Sequence, residues 1–369
     1  MEATAGEVGY RALLADSGAA LLAALSGLEG ALRRLHPPEI PALRETLRPA
    51  FARLAAARDA LAAATPPAGL ADLHRHWSHV VTLGGRALQA FLEPAPPEAA
   101  APRILEAMRL HARAQEALYP LCLVFPPVSD WFLEPGARGR RVPPEPDPGA
   151  PGPDRERTGI QVAGDPDGRG GFHLYVPEGH AAERGWPLVV ALHGGFGSGR
   201  DFLWTWLREA RSRGFLLLAP SSRGSTWSLH GPDRDGPALR SMIDWIAERW
   251  RVDRGRILLT GLSDGATFAL LAGLAAEAPY TALAPVSGVL HPASFASGNL
   301  DRAHGRRIYL VHGALDWMFP VALAREAARV LAGAGAELVY REIADLSHAY
   351  PREENARILE WFDPGLALP

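Results

Sequence analysis

The chain contains no lysine: all 38 of its basic residues are arginine. That excludes a lysine Schiff base, a Walker-type phosphate loop and a lysine-activated serine. Cysteine is nearly absent as well. With Cys122 alone, no intrachain disulfide can form and no cysteine-based zinc site can be built. A basic leader region is missing, because residues 1–10 carry Glu2 and Glu7 and no arginine. The apolar run at 19–25 is too short to span a bilayer and follows Asp16. A cytoplasmic protein with no membrane partner is the expectation. Charge of one sign is not in excess either. A net charge of -3 gives no electrostatic reason to expect nucleic acid as a partner. The glycine run 194–199 does not fit a dinucleotide fingerprint in register, so no nucleotide cofactor is expected.

At 369 residues and 47% hydrophobic, the chain can bury two cores, and its texture changes near residue 130. The first part is rich in alanine and leucine with helical periodicity. Leu14, Leu21, Leu25, Leu28 and Leu32 make one stripe. Leu43, Leu47, Phe51, Leu54 and Leu61 make a second, and Leu70, Leu73, Trp77, Val81, Leu88 and Phe91 a third. Ile104, Met108, Leu118 and Leu121 suggest a fourth. Prolines at 37–38, 66–67 and 94–97 separate the segments. The pattern predicts an antiparallel helical bundle over 1–133. Its own core accounts for the apolar stripes, so no protein partner is favoured; a lid, a homo-oligomer surface and a docking module are the open roles for this half. Residues 134–158 hold six prolines between 143 and 153 and read as a solvated linker, with Arg138, Arg140 and Arg141 on it.

From 159 to 369 short apolar runs alternate with amphipathic stretches. Strands are predicted at 172–176, 187–192, 215–219, 257–260, 281–285, 308–311 and 338–343. Helices are predicted at 201–213, 238–250, 266–275, 321–332, with Gly333 as a stop, and 352–362. Near-continuous apolar strands separated by helices predict an α/β domain with a doubly wound, mostly parallel sheet covered on both faces.

Within this half, Gly261-Leu262-Ser263-Asp264-Gly265 lies between a predicted strand and a predicted helix. That context suits a nucleophile elbow: the turn strains the serine backbone, and glycines on either side make room for it. Ser263 would then stand above the sheet edge at a helix start, with backbone N–H groups facing a developing oxyanion. A serine hydroxyl needs a base, and the base an orienter. Asp316 follows the strand at 308–311 in His312-Gly313-Ala314-Leu315-Asp316, and His348 follows the strand at 338–343 in Ser347-His348. Both sit where later strands deliver their carboxyl ends. His193-Gly194-Gly195-Phe196-Gly197 follows the strand at 187–192 and can supply an oxyanion hole. Gly195, with Phe196 as the alternative, would donate one backbone N–H, and Asp264 the other. The Asp264 side chain reads as a helix-start residue, not a general base. His193 and His312, each before a glycine, read as loop braces.

These segments resemble the α/β-hydrolase superfamily, and within it the phospholipase/carboxylesterase-like enzymes, with acyl-thioesterases and polyester depolymerase-like esterases nearby. The resemblance covers about 172–362 and not the helical half. It implies a serine esterase acting on a small-molecule ester, with Ser263, Asp316 and His348 as its triad and no cofactor. An acyl-thioesterase, a prolyl-oligopeptidase-like peptidase and a non-catalytic binding module on the same fold are the alternatives. Trp227, Trp317 and Phe319 fall on loops at the carboxyl edge of the sheet and are candidates for an apolar acyl or aryl pocket. His74, His76 and His79 invite a metal reading, but no carboxylate or cysteine joins them at ligand spacing, so no metal is expected.

Overall fold

The computed structural model describes residues 5–139, 157–181 and 183–368. The chain divides into two compact units, Met1–Phe132 and Leu133–Pro369.

The first unit is helical. Four long helices, α1 (Ala5–Arg33), α2 (Ile40–Ala63), α3 (Ala71–Leu92) and α4 (Pro97–Leu118), precede a short α5 (Pro126–Trp131). The centres of the predicted stripes are its core: Leu21, Leu25, Leu28, Leu54, Leu61 and Leu88 are fully buried, while Leu14, Leu32, Phe51, Ile104 and Met108 are only partly buried. Gly84 lets α1 and α3 approach closely, since a Cβ there would sit 2.6 Å from Leu21 Cδ1. Polar ties fix the packing. Trp77 Nε1 donates to Ser17 Oγ (2.8 Å), and Trp131 Nε1 to Ser26 Oγ (2.9 Å). The apolar part of α1 is longer than the run at 19–25 implied. By length and composition Val8–Arg33 could cross a membrane. Its Leu21, Ala24, Leu25 and Leu28 are nevertheless buried inside the unit, as in a bundle helix.

The second unit carries an eight-stranded sheet, in the order β1-β2-β4-β3-β5-β6-β7-β8. The strands are β1 (Gly159–Ala163), β2 (Phe172–Val176), β3 (Trp186–Leu192), β4 (Leu216–Pro220), β5 (Val252–Leu262), β6 (Ala282–Val286), β7 (Arg307–Gly313) and β8 (Glu337–Ile343). β2 pairs antiparallel with β1 and β4; every other pairing is parallel. Helices α6 (Gly199–Phe202), α7 (Leu207–Arg213), α8 (Asp235–Trp250), α9 (Asp264–Gly273), α10 (Ala293–Ala296), α11 (Val321–Gly333) and α12 (Glu354–Phe362) connect and follow the strands. The central strands are buried along their length, which is why β3, β4 and β6 read as unbroken apolar runs.

The strand order places the site. β3 and β5 are parallel neighbours, with Leu192 opposite Gly261. The chain leaves β3 for β4 on one side and leaves β5 for β6 on the other. Connections departing in opposite directions open a crevice at the carboxyl ends of these two strands. The loop at 193–197 and the turn at 261–265 meet there.

Three expectations change. The helix predicted at 201–213 is broken into α6, a 3-10 turn (Leu203–Thr205) and α7. Phe202, Leu203, Trp204 and Trp206 are all buried, and one regular helix cannot turn that many near-consecutive bulky side chains to one face. The left-handed glycine after α11 is Gly335 (φ 82°), not Gly333. Finally, the segment at 134 is not free linker. Glu134 pairs with Arg213 at 2.6 and 2.8 Å, Pro135–Ala137 forms a 3-10 turn, and Ala137 is buried. Arg157 accepts from Trp250 Nε1 through its carbonyl (2.8 Å). The proline-rich residues between them, with Arg140 and Arg141, lie outside the described residues.

Candidate active site

β5 delivers Ser263 into the turn before α9 with φ 58° and ψ -120°, a conformation that costs a non-glycine residue free energy. The flanking glycines are sterically required. A Cβ on Gly261 would lie 2.7 Å from the Gly265 carbonyl carbon, and one on Gly265 would lie 2.4 Å from the His193 oxygen. Ser263 precedes the helix but makes no side-chain cap bond to it. Its hydroxyl instead meets His348 Nε2 at 3.0 Å. His348 Nδ1 is 2.8 Å from Asp316 Oδ2. Residues from the ends of β5, β7 and β8 thus form one relay.

Asp316 is held from several directions. Its Oδ1 accepts the backbone N–H groups of Met318 (3.0 Å) and Phe319 (2.8 Å), which leaves Oδ2 for His348. Burial pushes this carboxyl up, but the hydrogen bonds from His348 and Phe319 outweigh it and hold it below the ordinary aspartate value. It therefore stays ionised beside the imidazole. His312, buried next to it, donates from Nε2 to the Phe319 carbonyl (2.8 Å) and lies 3.4 Å from Asp316 Oδ2.

The loop after β3 presents backbone donors. His193 is buried, and burial lowers its pKa to about 4. Its Nε2 accepts the Ser222 N–H at 3.1 Å, which places the ring proton on Nδ1, 2.7 Å from the Gly194 oxygen. The Gly197 N–H also reaches that oxygen (3.1 Å). In a planar trans peptide the C=O and the next N–H point opposite ways. Fixing the Gly194 carbonyl toward His193 therefore turns the Gly195 N–H away from it. The Asp264 N–H, in the first turn of α9, belongs to the amides that a helix leaves without an internal partner. Phe196 is excluded as the donor. Its N–H is spent on the Ser225 carbonyl at 2.8 Å, and its left-handed backbone (φ 59°) leaves the side chain 63% exposed.

The pocket candidates separate. Phe319 stands edge-on to the His348 ring, with centroids 5.3 Å apart, and Trp317 is 56% exposed. Trp227 does not line a pocket. It is 3% exposed, stacks on Phe268, and donates from Nε1 to the His193 carbonyl (2.7 Å). It belongs to the core beneath the site. In the helical unit, His74 Nδ1 meets the Tyr10 hydroxyl (2.9 Å) and His76 donates to the Ala117 carbonyl (2.7 Å). Among the described residues no group of three or more His, Cys, Asp or Glu could hold a metal ion.

A strand–elbow–helix with serine, aspartate and histidine in that chain order, on a sheet with β2 reversed, settles the architecture. The C-terminal unit has the α/β-hydrolase fold. Residues 236–363 match the Phospholipase/Carboxylesterase family. The chain is 26% identical over 107 residues to Acetylxylan esterase A of Emericella nidulans, covering 26% of this chain and 34% of that one. It is 30% identical over 152 residues to a bifunctional acetylxylan esterase/xylanase of Neocallimastix patriciarum, covering 39% and 21%. The chain therefore spans a third or less of these relatives. Among solved structures, the acetyl xylan esterase from Aspergillus awamori is 18% identical with a TM-score of 0.45, covering 56% of this chain and 99% of that one. Zea mays acyl-protein thioesterase 2 is 18% identical with a TM-score of 0.41, covering 54% and 100%.

A buried polar layer supports the His348 loop of this unit. The Tyr350 hydroxyl donates to Asn355 Oδ1 (2.8 Å), and Asn355 Nδ2 donates to the Thr205 carbonyl (3.0 Å). Glu209 lies in this layer, also bonded to Asn355; burial, helped by the nearby Glu134 charge, raises its pKa to about 7. A carboxyl raised in the folded state stabilises fully below its ordinary value of 4.5, and the contribution is lost as pH climbs through about 7. His193 acts with the opposite sign: its contribution is complete above 6.5 and is lost as pH falls through about 4. The two slopes offset each other in the wild-type protein, so the informative quantity is a difference. Relative to wild type, E209Q should gain about 3 kcal/mol of unfolding free energy between pH 4.5 and pH 7. Urea unfolding across that range checks it; a difference that does not vary with pH contradicts it.

Proposed function

We propose that this protein is a serine hydrolase that cleaves carboxylic esters through an acyl-enzyme intermediate. The observation that carries the reading is the hydrogen-bonded relay Ser263–His348–Asp316. Ser263 attacks the ester carbonyl carbon while His348 Nε2 takes its proton. The carbonyl oxygen becomes an oxyanion that accepts from the N–H groups of Gly195 and Asp264. One such donor contributes about 3–4 kcal/mol of transition-state stabilisation. The intermediate collapses by breaking the bond to the leaving oxygen, and protonated His348 gives that oxygen its proton, releasing the alcohol. Water then enters, His348 takes its proton, and the hydroxide equivalent attacks the acyl carbon. Collapse expels Ser263, reprotonated by His348, and frees the acid. Asp316 keeps the imidazole in the required tautomer and stabilises its cation. Phe319, edge-on to the His348 ring, and the exposed Trp317 are the residues proposed to meet the acyl or aryl group.

The relatives named for acetylxylan, together with the family match, support an ester and make acetyl esters the first substrates to test. The purified protein should hydrolyse p-nitrophenyl acetate and leave chromogenic peptide amides intact. Peptide cleavage without ester cleavage would refute the ester reading in favour of a peptidase.

A further inference from the structure

The segment Ser225-Thr226-Trp227 ties together the two sides of the oxyanion hole through three bonds. The Ser225 carbonyl accepts the Phe196 N–H (2.8 Å). The Thr226 hydroxyl donates to Asp264 Oδ2 (2.6 Å). Trp227 Nε1 donates to the His193 carbonyl (2.7 Å). The first and third bonds grip the loop after β3, which bears Gly195; the second grips the first residue of α9, which bears the other donor. The segment is itself anchored. Buried Asp235 accepts from the backbone N–H groups of Arg223 (2.9 Å) and Ser228 (2.8 Å) and from the Ser228 hydroxyl (2.7 Å).

The Asp264 carboxylate needs such a partner because of where it lies. A Cβ on Gly195 would be 2.7 Å from Asp264 Oδ2, so the acid rests directly against the residue that offers the oxyanion its N–H. An anionic oxygen packed against this residue competes for its N–H once it loses its own donor, and it repels the negative charge that forms on the substrate. A hydrogen bond from a neighbouring hydroxyl draws its charge the other way. We infer that Thr226 is a positioning residue for ester hydrolysis: its hydroxyl holds the Asp264 carboxylate off the Gly195 N–H and so keeps the oxyanion hole open. The inference rests on Ser263 being the nucleophile. It names a role for the Asp264 side chain separate from its backbone, which donates whatever the side chain is.

The test compares wild type, T226S, T226V and T226V/D264A for kcat and KM on p-nitrophenyl acetate, and for the rate at which a fluorophosphonate modifies Ser263. T226V should lower kcat by about tenfold or more while KM stays within about twofold, the pattern of a lost transition-state interaction. T226S restores the hydroxyl and should restore kcat. D264A placed on T226V removes the released carboxylate, keeps the backbone N–H, and should also recover kcat. A merely structural loss at 226 would not be repaired by a second truncation. Wild-type kcat in T226V, failure of T226S to rescue, or a double variant no better than T226V would each overturn the inference. If wild-type Ser263 itself takes no fluorophosphonate, the ester-hydrolase reading falls with it; an adduct that forms at the same rate in T226V overturns the positioning role alone.

Discussion

S263A should abolish turnover of p-nitrophenyl acetate, lowering kcat by about 10^5–10^6-fold, the cost of removing a triad serine. No other group can substitute. His348 Nε2 faces the Ser263 oxygen, and the only nearby carboxylate of the relay, Asp316, is buried behind the ring and committed to it. What remains after the substitution is the oxyanion hole, which polarises a carbonyl but forms no acyl-enzyme. The fold should survive, because the serine side chain makes no cap bond and the strain of φ 58° is set by the turn. Michaelis–Menten kinetics beside a thermal melt separate the outcomes. Loss of kcat with an unchanged melt is the expected result; loss of both would mean that the hydroxyl is structural.

D316N should cost on the order of 10^4 in kcat at neutral pH, with little change in KM. The reason is orientation as well as charge. An amide must place its oxygen toward the N–H groups of Met318 and Phe319, where Oδ1 now accepts two bonds. Its NH2 then faces His348 Nδ1, which becomes an acceptor. The ring proton moves to Nε2 and points at the Ser263 oxygen, so the base is blocked although every heavy atom stays in place. D316A leaves the backbone donors unsatisfied and should destabilise the protein as well, which D316N should not. If D316N retains wild-type kcat, the aspartate is a turn former and not the orienter of His348.

Sequence carried the parts of this site that depend on local rules. Gly261 and Gly265 announce the elbow because no side chain fits beside Leu192 and His193 on one flank or inside the turn on the other. Ser263, Asp316 and His348 were legible because each follows an apolar strand, and a parallel sheet delivers such residues to one edge. The strand β1 was not legible: it is a five-residue edge with partly exposed residues, lacking the continuous apolar run of the buried strands. Loop placement was the other blind spot. Whether Gly195 or Phe196 offers its N–H depends on a single bond from Phe196 to Ser225, which is distant in the chain and invisible to spacing. Trp227 looked like a pocket wall because it sits on a loop, yet its indole turns inward onto Phe268. Thr226 carried no signal at all. Its role follows from a tertiary contact with Asp264, and a threonine in an aperiodic loop looks like any other.

In the proposed cycle Ser263 forms a covalent bond to carbon or phosphorus electrophiles with the help of His348. Mass spectrometry of the purified protein after exposure to a fluorophosphonate tests this most directly. The prediction is one adduct per chain, mapped to the peptide that contains Gly261-Leu262-Ser263-Asp264-Gly265 and missing from S263A. An unmodified wild-type protein, or an adduct that persists in S263A, would contradict it.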